Sequence, residues 1–251
     1  MDFDRYRDAY RHIDLDRTED GVLTMRMHTD GGPLIWGQSP HEELGPCFRN
    51  IGSDRSNKVV ILTGTGDRFS AATDAARRLP RITAGVWDPM YWHSKQLLMN
   101  LLEIEVPMVA VVNGPALIHP ELALLCDIVL AADDATFTDG AHLPHGVVPG
   151  DGTHIIWPIL LGLNRARYFL FTDQTLTARE ALDLGLINEI HARENLPDRA
   201  REHAAHLLTI PELTRRYTRI LMTQPVRKAF LDQLGYGLAL EGLAFCDMPE
   251  S

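Results

Sequence analysis

Apolar and polar positions repeat with two different periods along this chain, and the changes from one to the other mark out its elements. Val22, Thr24, Arg26 and His28 alternate with Leu23, Met25 and Met27, the period of two of a half-buried strand. Ile13–Arg17 precedes this run, and a Glu19-Asp20-Gly21 turn lies between the two. Together they predict a β-hairpin, ended by Gly31, Gly32 and Pro33. Lys58–Gly64 (KVVILTG) and Met108–Gly114 (MVAVVNG) do not alternate. Such continuous apolar runs suit strands buried on both faces, as in parallel sheets. Each ends in Gly and is followed by an irregular segment, a recurrence that suggests stacked β-β-α units.

Helical spacing occupies the intervals. Ser39-Pro40-His41-Glu42 reads as a capping box, with Ser as N-cap, Pro at the first helical position and Glu three residues after the Ser. The helix it opens carries Leu44, Cys47, Phe48 and Ile51 on one face. Trp87–Ile104 is helical in pattern, with Trp92, Leu98, Leu101 and Leu102 available for its apolar side. Glu121–Cys126 predicts a short helix and Asp127–Ala132 a strand; Ile155–Leu161 and Arg165–Thr172 predict two more short helices. Thr177-Ala178-Arg179-Glu180 is a second capping box, its helix closed by Gly185 at the C′ position and followed by a strand over Leu186–Ile190. From Asn195 onward the pattern is helical throughout, with breaks expected at Pro211 and Pro225. The expected division is a core over residues 1–191 and a helical oligomerisation region over residues 192–251.

One stretch fits neither period. Thr138–Trp157 (TDGAHLPHGVVPGDGTHIIW) holds His142, His145, His154, Asp139 and Asp151 among glycines and prolines. Gly and Pro at that spacing force consecutive turns, and a long loop inside a compact domain is usually functional or disordered. The apolar run Ile155–Leu161 ties it to a core, which favours function.

Composition narrows the class. Of 251 residues, 45% are hydrophobic and 23% charged, as in ordinary globular proteins. A formal net charge of −10 gives no electrostatic support for a nucleic-acid partner. Cys47, Cys126 and Cys246 are widely spaced with no CxxC pair, against a disulfide framework or a cysteine zinc site. The charged N-terminal stretch lacks a signal-peptide core, and no apolar run reaches membrane-spanning length. A cytoplasmic α/β protein is expected, with no membrane partner.

Four ordered blocks resemble the crotonase (enoyl-CoA hydratase/isomerase) superfamily: KVVILTGTGDRFSAATD, AVVNGPALIHPELALLCDIVLAADDATF, LPHGVVPGDGTHIIWPILLG and LTAREALDLGLINEI. The resemblance implies a crotonase-type spiral of β-β-α turns, a C-terminal helical trimerisation region and an oxyanion hole of two backbone N–H groups. The departures matter as much. Ala72 stands where a Gly is usual, and Leu117-Ile118-His119-Pro120 replaces a glycine-rich segment before Glu121. His142 occupies the place of the hydratases' second glutamate, which removes their paired-carboxylate chemistry. Within the superfamily the sequence is more similar to β-diketone hydrolases of the 6-oxocamphor hydrolase type, through WGQSPHEEL, NKVVILTGTG, NLLEIEVP, the DG-x-H loop and GLALE.

That narrower resemblance implies a cofactor-free hydrolase that cleaves a carbon–carbon bond of a cyclic or bicyclic β-diketone, a retro-Claisen reaction giving a keto acid. It carries function over to Trp36, His41, His119, His142, Asp151 and Glu241. Asp151 on one nitrogen of His142 would fix its tautomer and leave the other free as a base for water. The tetrahedral oxyanion and the departing enolate both need donors; candidates are the backbone amides after the two Gly-ended strands, the Trp36 indole, His41 and His119. Glu241, alone in an apolar helical stretch, is costly to bury as an anion; protonated, it suits delivery of a proton to the enolate. Trp36, Ala72, Trp87, Trp92 and Leu117 are expected against the substrate. No metal site is expected, since no ligand spacing of the HExxH kind occurs. The assembly implied is a homotrimer or a hexamer. An acyl-CoA-dependent hydratase, isomerase or thioester hydrolase, and an idle binding subunit, are the rival readings.

Overall fold

A computed structural model of the chain describes residues 2–73 and 81–248. The hairpin is present: β1 (Ile13–Arg17) pairs antiparallel with β2 (Val22–Met27), Ile13 opposite Met27 and Arg17 opposite Leu23. Leu23, Met25 and Met27 are fully buried while Arg26 faces out, as the alternation requires. After the two-residue β3 (Ile35–Trp36) comes α1 (Gln38–Ser53), then β4 (Val59–Thr63), the short β5 (Ala72–Thr73), α2 (Ala84–Leu102) and β6 (Met108–Val112). Next are α3 (Glu121–Leu124), β7 (Ile128–Ala132), β8 (Thr136–Phe137), α4 (Thr153–Leu161), α5 (Leu163–Phe171), β9 (Leu176–Thr177), α6 (Ala178–Asp183) and β10 (Glu189–His191). Two helices close the chain, α7 (Leu196–Leu208) and α8 (Glu212–Asp247).

The main sheet runs in the order β1-β2-β4-β6-β7-β10, parallel from β2 onward. The apolar runs of β4 and β6 form its centre and are buried on both faces. A second, shorter layer takes one rung from each turn: β3 pairs with β5, and Ser70, Ala116 and Phe137 form successive parallel bridges. Long strand, short rung and helix repeat, which makes the crotonase-type spiral. Close approach of successive turns depends on Gly114, where a Cβ would lie 1.8 Å from the Asp67 carbonyl oxygen.

Four sequence expectations need correction. Ser39 is not the N-cap of α1: the helix starts at Gln38 with Gly37 as cap, and the Ser39 hydroxyl reaches Glu43 one turn on at 3.1 Å. The last strand lies at Glu189–His191, because Leu186 and Ile187 turn inward to the core straight after the Gly185 cap. Trp92 points away from the apolar side of α2 and is 57% exposed. Pro225 does not break the last helix, which continues as α8 through it. A mid-helix proline costs about 3 kcal/mol; the buried stretch on either side, including Arg219, Thr223, Phe230 and Leu234, offsets it. The Thr177 capping box is formed in full.

α8 packs on α2 and α4. At one end Arg219, buried, donates to Asp127 beside β7 and to the Ile104 carbonyl at 2.7 Å. Further along, two glycines let the helix touch the loop ahead of α4. A Cβ on Gly237 would lie 2.4 Å from the Gly150 carbonyl oxygen, and one on Gly150 would lie 2.2 Å from that of Gly237. The contact brings Glu241, one turn on, to the loop residue Asp151.

Candidate active site

The left-handed backbone at His119 (φ 50°) turns its side chain inward from the segment between β6 and α3. His142 and Asp151 come from the Gly/Pro-rich loop, Glu121 from the first turn of α3, and Glu241 from α8. Asp151 is the hub. One of its oxygens lies 3.3 Å from His119 Nδ1 and the other 3.4 Å from His142 Nε2. His119 Nδ1 also makes a very short contact with Glu121 Oε1. His142 Nδ1 bonds Asp139 Oδ1 at 2.6 Å, and its Nε2 lies 3.8 Å from Glu241 Oε1. His142, Asp139, Asp151, Glu121 and Glu241 are all buried, whereas His41 and His119 are half-buried. The cluster therefore reaches solvent along its His41–His119 edge.

Aromatic rings line that edge. Trp36 and His119 lie 4.5 Å apart between ring centroids, and His41 stands 5.3 Å from His119 and 6.2 Å from Trp36. The Trp36 indole N–H, a candidate oxyanion donor in the sequence, donates instead to the Ser70 hydroxyl, which donates to the Ile118 carbonyl. Four backbone amides after the two Gly-ended strands are similarly engaged. Phe69 and Ser70 N–H donate to the Pro115 carbonyl, and Leu117 and Ile118 N–H to the Ser70 carbonyl. These bonds zip the two loops together. The His119, His142 and His41 imidazoles face the cluster.

Burial and charge set the protonation of each group. Burial opposes a charge on His142, but the Asp151 and Asp139 carboxylates outweigh it and push its pKa up to about 12. For His119 burial is likewise outweighed, by Glu121 and Asp151, and the value rises to about 9. Asp151 is held well below the ordinary carboxylate range, despite burial, by the two imidazoliums. Glu241, buried and facing the Asp151 charge, is raised to about 9 and is a neutral acid at neutral pH. Burial also lifts the Glu121 carboxyl above its usual value. His41, half-buried, is desolvated and next to the His119 charge, so its pKa falls to about 3 and it stays neutral.

This geometry corrects the expected arrangement of His142 and Asp151. The two side chains do face each other. The shorter contact that orients the ring, however, comes from Asp139, a residue to which the sequence reading gave no role. Neither ring nitrogen is left free: one faces Asp139, the other Asp151 and Glu241. Asp139 was within reach of sequence reasoning, because it lies three residues before His142 in the same loop.

Of the residues expected against substrate, Trp36 joins the cluster through the His119 ring. Ala72 sits on β5 opposite Ile35, next to Trp36, and is half-buried. Leu117 is half-buried, its carbonyl accepting the Gly140 N–H at 2.8 Å. Trp87 is buried against α8, where a Cβ on Gly242 would lie 2.3 Å from its indole nitrogen. Trp92, on the outer side of α2, does not join the cluster. Where no metal centre was expected, His119, Glu121 and Asp151 do offer three ligand atoms within 4.8 Å of one another. His119 Nδ1 already contacts both carboxylates, and a cation there would take the place of its proton. Among the described residues no helix is long and apolar enough to cross a membrane.

A family model for enoyl-CoA hydratase/isomerase matches residues 19–240. 4-Chlorobenzoyl coenzyme A dehalogenase-1 of Arthrobacter sp. is 31% identical over 80% of this chain and 73% of its own. Crotonyl-CoA hydratase of Syntrophomonas wolfei is 31% identical, over 84% and 81%. Among solved structures, a β-diketone hydrolase from the cyanobacterium Anabaena sp. PCC 7120, bound to (S)-3-oxocyclohexyl acetic acid, superposes with a TM-score of 0.93. It is 45% identical and covers 96% of this chain and 97% of that one. An enoyl-CoA hydratase/isomerase from Mycobacterium paratuberculosis follows at TM-score 0.85 and 25% identity, over 94% of each chain. With the spiral fold and a family match across nearly its whole length, the chain belongs to the enoyl-CoA hydratase/isomerase, or crotonase, family.

Proposed function

We propose that this protein hydrolyses a carbon–carbon bond of a cyclic or bicyclic β-diketone, without coenzyme A, to give a keto acid. The observation that carries the reading is the convergence of two imidazoles on Asp151 with a neutral Glu241 beside them, in a chain 45% identical to a β-diketone hydrolase. Water adds to one ketone carbon, forming the C–O bond, and its proton passes to the Asp151–His142 pair. Within that pair Asp151 is the member held unprotonated. The oxyanion so formed meets imidazolium N–H groups rather than backbone amides. Collapse of the oxyanion breaks the C–C bond and leaves the electron pair on the enolate of the second carbonyl. The Glu241 carboxyl then protonates the enolate carbon. His142 Nε2, facing both Asp151 and Glu241, returns the proton taken from water to Glu241, so substrate plus water equals product.

The rival is a coenzyme A-thioester enzyme, which the curated relatives favour by name. Against it stands the engagement of the Leu117 and Ile118 amides with the Ser70 carbonyl, where a thioester oxygen would need donors. The exposed apolar residues of α5 and α8, among them Phe171, Leu221 and Leu243, support assembly as a homotrimer or hexamer.

The test is incubation with a panel of cyclic and bicyclic β-diketones in ¹⁸O-water, following loss of the diketone's ultraviolet absorption and the mass of the product. One ¹⁸O atom per keto acid, in its new carboxyl group, is expected. Turnover of acyl-CoA thioesters with every diketone left intact would overturn the proposal.

A further inference from the structure

The groups of the site form one chain that alternates carboxylate and imidazole, Glu121, His119, Asp151, His142, Asp139, with Glu241 as a branch at His142 Nε2. Asp151 spends one oxygen on each ring, so each imidazole meets two carboxylates: at opposite nitrogens in His142, and both at Nδ1 in His119. The terminal members, Glu121 and Asp139, are buried, and among the described residues Glu121 Oε2 and Asp139 Oδ2 have no hydrogen-bond partner. Glu121 stands where a hydratase would hold its first catalytic carboxylate, yet here its other oxygen is given to His119.

We infer that Asp139 and Glu121 are paired positioning residues, each fixing the orientation and charge of one imidazole so that both rings present N–H groups toward Asp151 and the substrate. The inference rests on the proposed role of His142 and Asp151 in handling water's proton. It adds two residues that act only through the rings.

The physical reason lies in the burial of the rings. A buried imidazolium is unfavourable unless carboxylates surround it, and a single shared Asp151 would leave two cations on one anion. Each cap supplies the second negative partner, and its second oxygen keeps capacity for a proton displaced during the reaction. The groups facing His142 are Asp139, Asp151 and Glu241; those facing His119 are Glu121, Asp151, His41 and His142. Replacing Asp139 by Asn keeps the shape but offers either an amide donor, which forces the opposite tautomer, or a neutral acceptor that no longer holds the charge.

The test uses the full-length protein with ¹⁵N-labelled histidine. In the wild type, the His142 Nδ1 proton is expected far downfield and both of its ring nitrogens in the imidazolium form across neutral pH. Asp139→Asn is expected to lower kcat by about 10²–10⁴-fold, as when a triad carboxylate is made neutral, with KM changed by less than about threefold. The His142 nitrogens should then titrate within the observable range, and Asp139→Glu should restore part of kcat. Glu121→Gln should shift the His119 signals and spare those of His142. Wild-type His142 nitrogens that titrate as an ordinary solvent-exposed imidazole would overturn the inference, even if neither variant folds. So would an Asp139→Asn enzyme with kcat within about threefold of wild type. A wild type that cleaves no diketone but shows both imidazolium signatures would refute the proposed function and leave the chain of groups standing.

Discussion

Glu241→Gln should stabilise the protein at neutral pH by an amount that disappears in mild acid. The Glu241 carboxyl is buried, faces the Asp151 charge, and has its pKa raised from 4.5 to about 9. Between those values the unfolded chain carries the anion and the native protein the neutral acid, so the native state binds one more proton. Stability then falls as pH rises, by about 1.4 kcal/mol per unit. At pH 7 the interval above 4.5 is 2.5 units, a penalty of about 3 kcal/mol relative to acid conditions. The glutamine has no such dependence. It does bring an amide to a place where Oε2 has no partner among the described residues, an offset of about 1–3 kcal/mol that does not vary with pH. The quantity to measure is therefore the change in the difference between the two proteins. Urea unfolding at equal protein concentration, repeated from pH 5 to pH 8, should show the variant gaining on the wild type by about 1.4 kcal/mol per unit. Parallel stability curves over that range would refute the protonated state of Glu241 and its role as the acid.

Other outcomes follow from the same geometry. Activity on the substrate should hold through neutral pH and decline above about pH 9, where Glu241 and His119 lose the protons the reaction uses; a pH profile of kcat/KM that climbs through this region would contradict both roles. His142→Ala should lose about 10²–10⁴-fold in kcat with an unchanged far-ultraviolet circular dichroism spectrum. Gly237→Ala places a Cβ 2.2 Å from His154 Cε1; a stability loss of about 3 kcal/mol and a drop in kcat are expected by denaturation and steady-state kinetics.

Much of the frame could be read from the chain because its signals are local. The alternation of Leu23, Met25 and Met27, the two Gly-ended apolar runs and the Thr177 box each depend on neighbours a few residues away. Where the reading went astray, distant partners decide. Ser39 lost the cap position to Gly37, whose extended backbone starts the helix two residues earlier. Pro225 stays helical because packing on both sides of it outweighs one missing N–H. Ring orientation in the site is the hardest case: His142 and Asp151 were visible as a pair, but which carboxylate meets which nitrogen depends on how the loop folds back against α3 and α8. Asp139 could be seen in the same loop, yet only its 2.6 Å contact gives it a part.

The length of α8 gives the site a remote point of control. Arg219 anchors the helix to Asp127, and Glu241 rides on the same rod about 33 Å further on at 1.5 Å per residue. A tilt of a few degrees at the anchor would swing the acid by about 2 Å were the Gly150–Gly237 clamp absent. With both in place the rod is held like a beam on two supports. Any sag falls on the span around Pro225, and the Glu241 carboxyl keeps its place beside His142.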